Sequence, residues 1–531
     1  MKLLINATIY TMDERHPSVS GLLIDRGQIV QAGDGESLRE QYGGSGEVED
    51  LAGLTVLPGL TDAHVHLQHY ALSLQKVDCE TPTLAECLRR VAERASNTPG
   101  GEWVLGHGWQ QNDWADCEGG IGGFPTVAML DAITPGHPVY LTAKSLHAGW
   151  VNSAALRAAD LSQNTPDPAD GVLQRDVSGK PTGILLEGAM GLVSKSVPAE
   201  TESSIRDSIR SAQRKLWAYG LTGVHDFDRR TCFIALQELH LAGELNLRVV
   251  KNVPVEDLEY AAGLGLRGGF GDEMLWIGGV KAFADGALGP QTAAMLSPYA
   301  DDPGNRGMLL LDREQIFDHG RRAAEAGFPM TVHAIGDAAN HEVLEGYRAL
   351  RDYERETGLP KRRHRIEHVQ LIHPDDIGRL AEMDVIASMQ PIHATSDMHS
   401  ADKFWGARSE HAYAWLSLLD SGARMAFGSD APVESPNPFL GLYAAVTRRR
   451  ADGDPGPDGW YPGQRLSLKQ AIEGFTIGAA YAGKAENRLG KLMPGFGADL
   501  IALDKDIFSV EPDAIKDLKP VRTMVAGRWV Q

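Results

Sequence analysis

Eight apolar runs, each ending in polar or charged residues and separated by longer helical stretches, constrain this chain more than any other feature. They are TVLPGLTDAHVHL, LTGVHDFD, NLRVVKNVP, WIGGVKAFADG, FPMTVHAIGD, HRIEHVQLI, DVIASMQP and ARMAFGSDAPV. A strand covered on both faces reads as an unbroken apolar run, and strands that alternate with helices pair in parallel. Polar tips at the C-terminal ends of such strands are what a (β/α)8 barrel, the TIM-like α/β fold, requires, because its site lies at that rim. The expected fold is therefore such a barrel. Spacing agrees: His333 to His368 is about one βα unit and His368 to Asp430 about two. His66 and His225 lie much too far apart for one unit, so an insertion is expected at about 79–205, with an extra strand at HPVYLTAKS.

The two ends of the chain have a different texture. KLLINATIYTMD, GLLIDRGQIVQAG and EVEDLAGLTVL at the start, and GKLMPGFGADLIALD and VRTMVAGRWVQ at the end, read as short strands and turns. Neither end has enough strands to bury a face alone. Together they are expected to form one small β-sandwich, with residues 1–56 and 485–531 as its halves and the barrel, 57–484, between them. A chain of 531 residues has room for both.

A net charge of −20 argues against nucleic acid as a partner. The four cysteines, Cys79, Cys87, Cys117 and Cys232, form no C-x-x-C pair, so a reducing compartment is the simpler reading. With no signal-like start and no run of 18 apolar residues, the expected location is the cytoplasm, with no membrane partner.

His64 and His66 in DAHVHL stand two apart at the tip of the first barrel strand, so both imidazoles can face one metal ion. Alone, such a pair reads equally well as hydrogen-bonded core histidines. Lys281, His333, His368 and Asp430 fall at the tips of the fourth, fifth, sixth and eighth strands. Packing does not explain so many imidazole, amine and carboxylate groups on one rim, and a divalent metal does. Imidazole and carboxylate ligands suit Zn²⁺, one or two per chain. Asp430 in SDAPVE would serve a helix N-terminus if it stood alone. Weaker candidates for touching a small-molecule substrate are Trp109 and His147 in the insertion, with Trp109 equally a packing residue; His225 with Asp226 on the second strand, at least as well read as hydrogen-bonding supports; Asp285, which could instead cap a turn; and Gln390 with His393 after the seventh, where binding and loop structure are not separated. Glu367 precedes His368 and is expected to point the other way, into the barrel wall. The tryptophans of the insertion suggest a partly aromatic pocket, or core.

PGLTDAHVHL, VKAFADG, TVHAIGDAA, RIEHVQ and GSDAPVE together resemble the amidohydrolase superfamily, more narrowly the amidohydrolase family 3 branch that includes N-substituted formamide deformylase. GHGWQQNDW, KSLHAGWVNSAAL, GALGPQTAAMLSPY and GFGADL belong to the same pattern, so the resemblance spans nearly the whole chain. It implies a metal-dependent hydrolase of non-peptide C–N bonds. His64, His66 and Asp430 would hold one metal, and His333 and His368 a second. Lys281 stands where many members carry a carbamylated lysine between the two, and Asp430 would be the catalytic proton carrier. A homodimer is the superfamily's habit.

Other functions remain to be weighed. A ring deaminase on a one-metal site would be expected to carry a glutamate soon after the fifth-strand histidine, where this chain has AIGDAAN. Ester or lactone hydrolysis uses the same attack of water. A non-catalytic scaffold would be expected to have lost ligands, and here every position is filled.

Overall fold

The computed structural model describes residues 1–531 apart from 112–113, 118–119, 144–147 and 169–170. All eight expected runs form strands of one parallel sheet: β1 Leu60–Val65, β2 Leu221–Asp226, β3 Arg248–Pro254, β4 Leu275–Phe283, β5 Met330–Ala334, β6 Arg365–His368, β7 Ile386–Met389 and β8 Arg424–Phe427. Each strand pairs in parallel with the next in the chain. The ring closes at its rim, where the Asp430 amide donates to the His64 carbonyl (2.8 Å) and the His66 amide to the Ala431 carbonyl (2.9 Å).

The first run proves to be two strands. Thr55–Pro58 leaves the barrel and pairs antiparallel with Leu500–Leu503, while Leu60–Val65 becomes β1. Gly59 makes the change of direction possible, because a Cβ there would lie 2.3 Å from the Thr222 side chain.

Thr55–Pro58 thereby joins the two chain ends. One sheet has the order 528–529, 522–525, 500–503, 55–58, 8–10, 18–19, so C-terminal and N-terminal strands share it. A second, four-stranded sheet has the order 28–33, 21–25, 2–5, 47–50. Leu4, Ile9, Leu22, Ile24, Val56, Leu500 and Met524 form a single apolar cluster drawn from both sheets, the core of the expected sandwich. Helix Gly35–Tyr42, which the strand-and-turn reading of this end did not anticipate, is capped by the Asp34 side chain accepting from the Ser37 amide.

Barrel and sandwich fall in one compact unit, Met1–Tyr70 with Ile209–Gln531, and Ala71–Ser208 forms another. The expected insertion lies inside that second unit. It is a six-stranded sheet in which Val139–Ala143, from the HPVYLTAKS segment, pairs parallel with Val104–Trp109 and antiparallel with Ala148–Val151. Trp109, Trp114 and Trp150 meet there with ring centroids 6.2–6.3 Å apart, among Cys79, Val91, Leu130 and Leu141. Among the described residues no helix is long and apolar enough to cross a membrane.

Candidate metal centre

β1 delivers His64 and, one residue past its end, His66. β4 delivers Lys281, β5 His333 and β6 His368, while Asp430 follows β8 by three residues. The closed ring brings these tips together, and each imidazole–carboxylate distance then reflects a contact between distant parts of the chain. His64 Nε2 lies 3.6 Å from Asp430 Oδ1 and His66 Nε2 3.4 Å from the same oxygen. The His368 ring centroid is 4.9 Å from that of His64 and 4.5 Å from that of His333. His64, His368 and Asp430 each offer a ligand atom within 4.8 Å of the others. That trio mixes residues which the sequence reading divided between two metals.

His64 Nε2 and Asp430 Oδ1 are buried and have no hydrogen-bond partner. Leaving a buried polar atom unsatisfied costs about 1–3 kcal/mol, and two facing each other with no proton between them are most simply satisfied by a cation. The donor set therefore fits a divalent metal.

The opposite side of each imidazole is anchored. His64 Nδ1 is 2.7 Å from Glu367 Oε2, His66 Nδ1 3.1 Å from Asp228 Oδ1, and His368 Nδ1 2.9 Å from Gln390 Oε1. An acceptor at Nδ1 keeps the proton there and leaves Nε2 as the lone-pair nitrogen. His333 is reversed: its Nε2 is 2.8 Å from the Gly286 carbonyl, which can only accept, so Nδ1 is the nitrogen left to bind. Burial, with Lys281 and the neighbouring imidazoles adding to it, holds His64 and His368 well below the usual histidine range and His333 down to about 3. All three are neutral, as ligands must be. Lys281 is buried between Phe227 and Phe283, its Nζ 4.8 and 4.7 Å from their ring centroids. Burial draws it down to about 8, and it has no ion pair among the described residues.

Two of these positions carry backbone strain. His368 has φ +78° and Asp430 φ +61°, left-handed values that cost a residue with a side chain about 1–3 kcal/mol each. The turn at His368 also explains a correction. Strict alternation would send Glu367 into the barrel wall, away from the site. Instead it is fully buried and bonds His64 and both Arg365 Nε and Nη2, because the chain leaves strand geometry at His368. Gly428 is needed on the other side, where a Cβ would come within 2.5 Å of the His64 amide. Asp62 ties the same two strands, accepting from the amides of His64 (3.1 Å) and Ser429 (2.9 Å).

The weaker sequence candidates divide. Gln390 positions His368, as above. Asp285 accepts from the amides of Ala294, Ile335 and Gly336 at 2.8–3.0 Å, so it organises the loops around His333, and burial raises it to about 7. For two residues the structure favours the supporting or packing alternative over substrate contact. His225 is buried with its Nδ1 2.9 Å from Arg365 Nη1, and a Cβ on Gly483 would lie 3.0 Å from its Nε2, so both its nitrogens face protein. Trp109 is fully buried in the core of its own unit, its Nε1 donating to the Leu141 carbonyl. The aromatic-pocket reading of Trp109, Trp114 and Trp150 gives way to packing. His147 lies outside the described residues. Sequence reasoning missed Glu367 and Asp228 as supports, and also Gln370, which lies 3.2 Å from the already noted His393. The available signal was a carboxylate inside or just after an otherwise apolar strand.

A family model described as the amidohydrolase family matches residues 47–531. The chain belongs to the amidohydrolase family. Among similar proteins, YtcJ of Bacillus subtilis is 32% identical over 98% of each chain. N-substituted formamide deformylase of Arthrobacter pascens is 28% identical over 99% of this chain and 97% of its own. A solved metal-dependent hydrolase from Pyrococcus furiosus is 31% identical, covers 95% of this chain and 99% of its own, and superposes with a TM-score of 0.77. This amidohydrolase is accordingly a metal-dependent enzyme of the hydrolase class, and the unpartnered atoms at the barrel rim are a candidate place for that metal.

Proposed function

We propose that this amidohydrolase cleaves the C–N bond of an N-acyl or N-formyl amine, with zinc as its metal. The observation that carries the reading is the pair of buried, unpartnered atoms, His64 Nε2 and Asp430 Oδ1, 3.6 Å apart at the barrel rim. His64, His66, His333, His368 and Asp430 would hold the metal, which when bound supplies Lewis acidity toward water and the substrate carbonyl. Asp430 takes the proton of the attacking water and hands it to the departing nitrogen. Glu367, Asp228 and Gln390 keep the imidazoles in the required tautomer and orientation. Lys281 is buried at the same rim with no ion pair among the described residues, and carbamylation would turn it from a competing cation into an anionic ligand. The likeness to N-substituted formamide deformylase supports the formyl branch of the substrate class. We place the enzyme in the cytoplasm as a homodimer, in keeping with four free cysteines.

Elemental analysis, native mass measurement at mildly alkaline pH and a screen of N-formyl and N-acyl amines for released amine test this together. Expected are about two zinc ions per chain, one added carbon dioxide lost with Lys281→Ala, and amine release. One metal with an unmodified lysine and released ammonia would redirect the reading to deamination. No metal after reconstitution would end it.

A further inference from the structure

The opposite, N-terminal mouth of the barrel holds a cavity of about 210 Å³, well above the roughly 10–15 Å³ that one water needs. It is lined by Thr331 and Arg365 near the starts of β5 and β6, by Asn252 of β3 and Gly278 and Gly279 within β4, and by the loop residues Gly327 and Pro329 that lead into β5. Lys361, Arg362, Arg363 and Lys484 complete its wall, and among the described residues no carboxylate lines it. Five cationic side chains around one recess are out of keeping with a chain of net charge −20.

Three of the five are already engaged. Arg363 is held by Glu486 at 2.5–2.7 Å, Lys361 by Asp384 at 3.1 Å, and Arg365 by Glu367. The other two are not. Arg362 Nε is buried without any hydrogen-bond partner, and its Nη2 makes only one long contact, 3.4 Å, to the Ala324 carbonyl. Lys484 has no ion pair among the described residues; it is exposed and follows helix Ala479–Ala482 and its cap Gly483 in the left-handed conformation common at helix ends, φ +57°. Close packing sets the recess: a Cβ on Gly268 would fall 2.9 Å from the Gly278 carbonyl, and one on Gly279 2.9 Å from that of Pro329. At these two positions the wall admits no side chain that could fill the space.

We propose that this cavity is a binding site for a compact multivalent oxyanion of the phosphate class, held by Arg362 and Lys484. A guanidinium presents paired N–H groups that match a tetrahedral oxyanion, and an ammonium adds a point charge. The recess is small and the chain as a whole carries a net charge of −20, which selects a small anion over an extended polyanion. None of the candidate metal ligands lines this cavity, so it stands independently of the hydrolytic reading.

The test is calorimetric titration of inorganic phosphate into the metal-loaded enzyme at fixed ionic strength, with chloride as the control. Expected is saturable binding of phosphate but not chloride, at least tenfold weaker in Arg362→Ala/Lys484→Ala and also weaker in the milder Lys484→Ala, whose side chain is exposed. Absence of saturable binding in the unmodified enzyme overturns the proposal. So does binding of equal strength in both variants, which would place the phosphate at the metal centre or on the general surface.

Discussion

The two ends of the barrel solve opposite problems with the same strands. At the C-terminal rim, histidines and Asp430 are stripped of water, anchored from behind, and left with open atoms facing one another. At the N-terminal mouth, charged groups from the same strands and adjoining loops are mostly paired, as Arg363 with Glu486 and Lys361 with Asp384. Between them, Arg365 and Glu367 form a buried pair that reaches His64 on one side and His225 on the other. The difference teaches how the strand direction divides the work: imidazole and carboxylate atoms left open to a cation collect at the rim, whereas most charges at the mouth are neutralised in ion pairs, Arg362 and Lys484 excepted.

The largest effect that would sharpen this contrast is removal of a rim ligand. His64→Asn or Asp430→Asn is expected to lower kcat/KM by about three orders of magnitude or more, since carbonyl polarisation and proton transfer fail together. Metal content should fall while the circular dichroism spectrum stays native. Full activity in a metal-free variant would break the assignment of the rim.

Next comes the buried pair that links the ends. Glu367→Ala leaves the Arg365 charge buried and unpaired, so a loss of about 3–5 kcal/mol in denaturant unfolding is expected. Metal affinity should drop roughly 10- to 100-fold, because His64 loses its Nδ1 acceptor. A variant as stable as the parent would show that Arg365 finds other partners and that the two ends are not joined through Glu367.

A milder change of the same kind is Gln390→Ala, which frees His368 alone. About a tenfold loss of metal affinity, with about 1–2 kcal/mol of stability, is the expected outcome in a metal-competition titration. Chelation should lower the thermal midpoint of the parent reversibly, by an amount worth about 4 kcal/mol if metal is present at a thousand times its dissociation constant.

Smallest is Lys361→Ala at the opposite mouth. Its ion pair with Asp384 is more than half exposed on the lysine side, so less than about 1 kcal/mol is expected, vanishing in high salt. A large, salt-independent loss would show that the mouth carries more of the fold's stability than surface pairs do.

Much of this was legible before any coordinates. Apolar runs with polar tips, and their spacing, led to the eight strands, and the textures of the two chain ends led to the sandwich. His64, His66, Lys281, His333, His368 and Asp430 were all singled out from their positions at strand tips. Less legible were the contributors whose role depends on a distant partner. Glu367 was sent to the wrong face because alternation assumes that His368 continues the strand, and its φ of +78° ends it. Trp109 and His225 looked like pocket residues from their neighbours in sequence, and both proved to be packed inside.

What the sequence determined by itself is therefore the set of elements and the chemistry at their tips. Those follow from transfer of apolar runs out of water and from periodicity, which act over a few residues. Only the tertiary structure decided which nitrogen of each histidine is free, that His64 leans on a carboxylate 303 residues away, and that cations gather at the other mouth. These depend on closing the ring, which sets the distance between strand tips far apart in the chain, and on left-handed backbone turns that no short-range pattern announces.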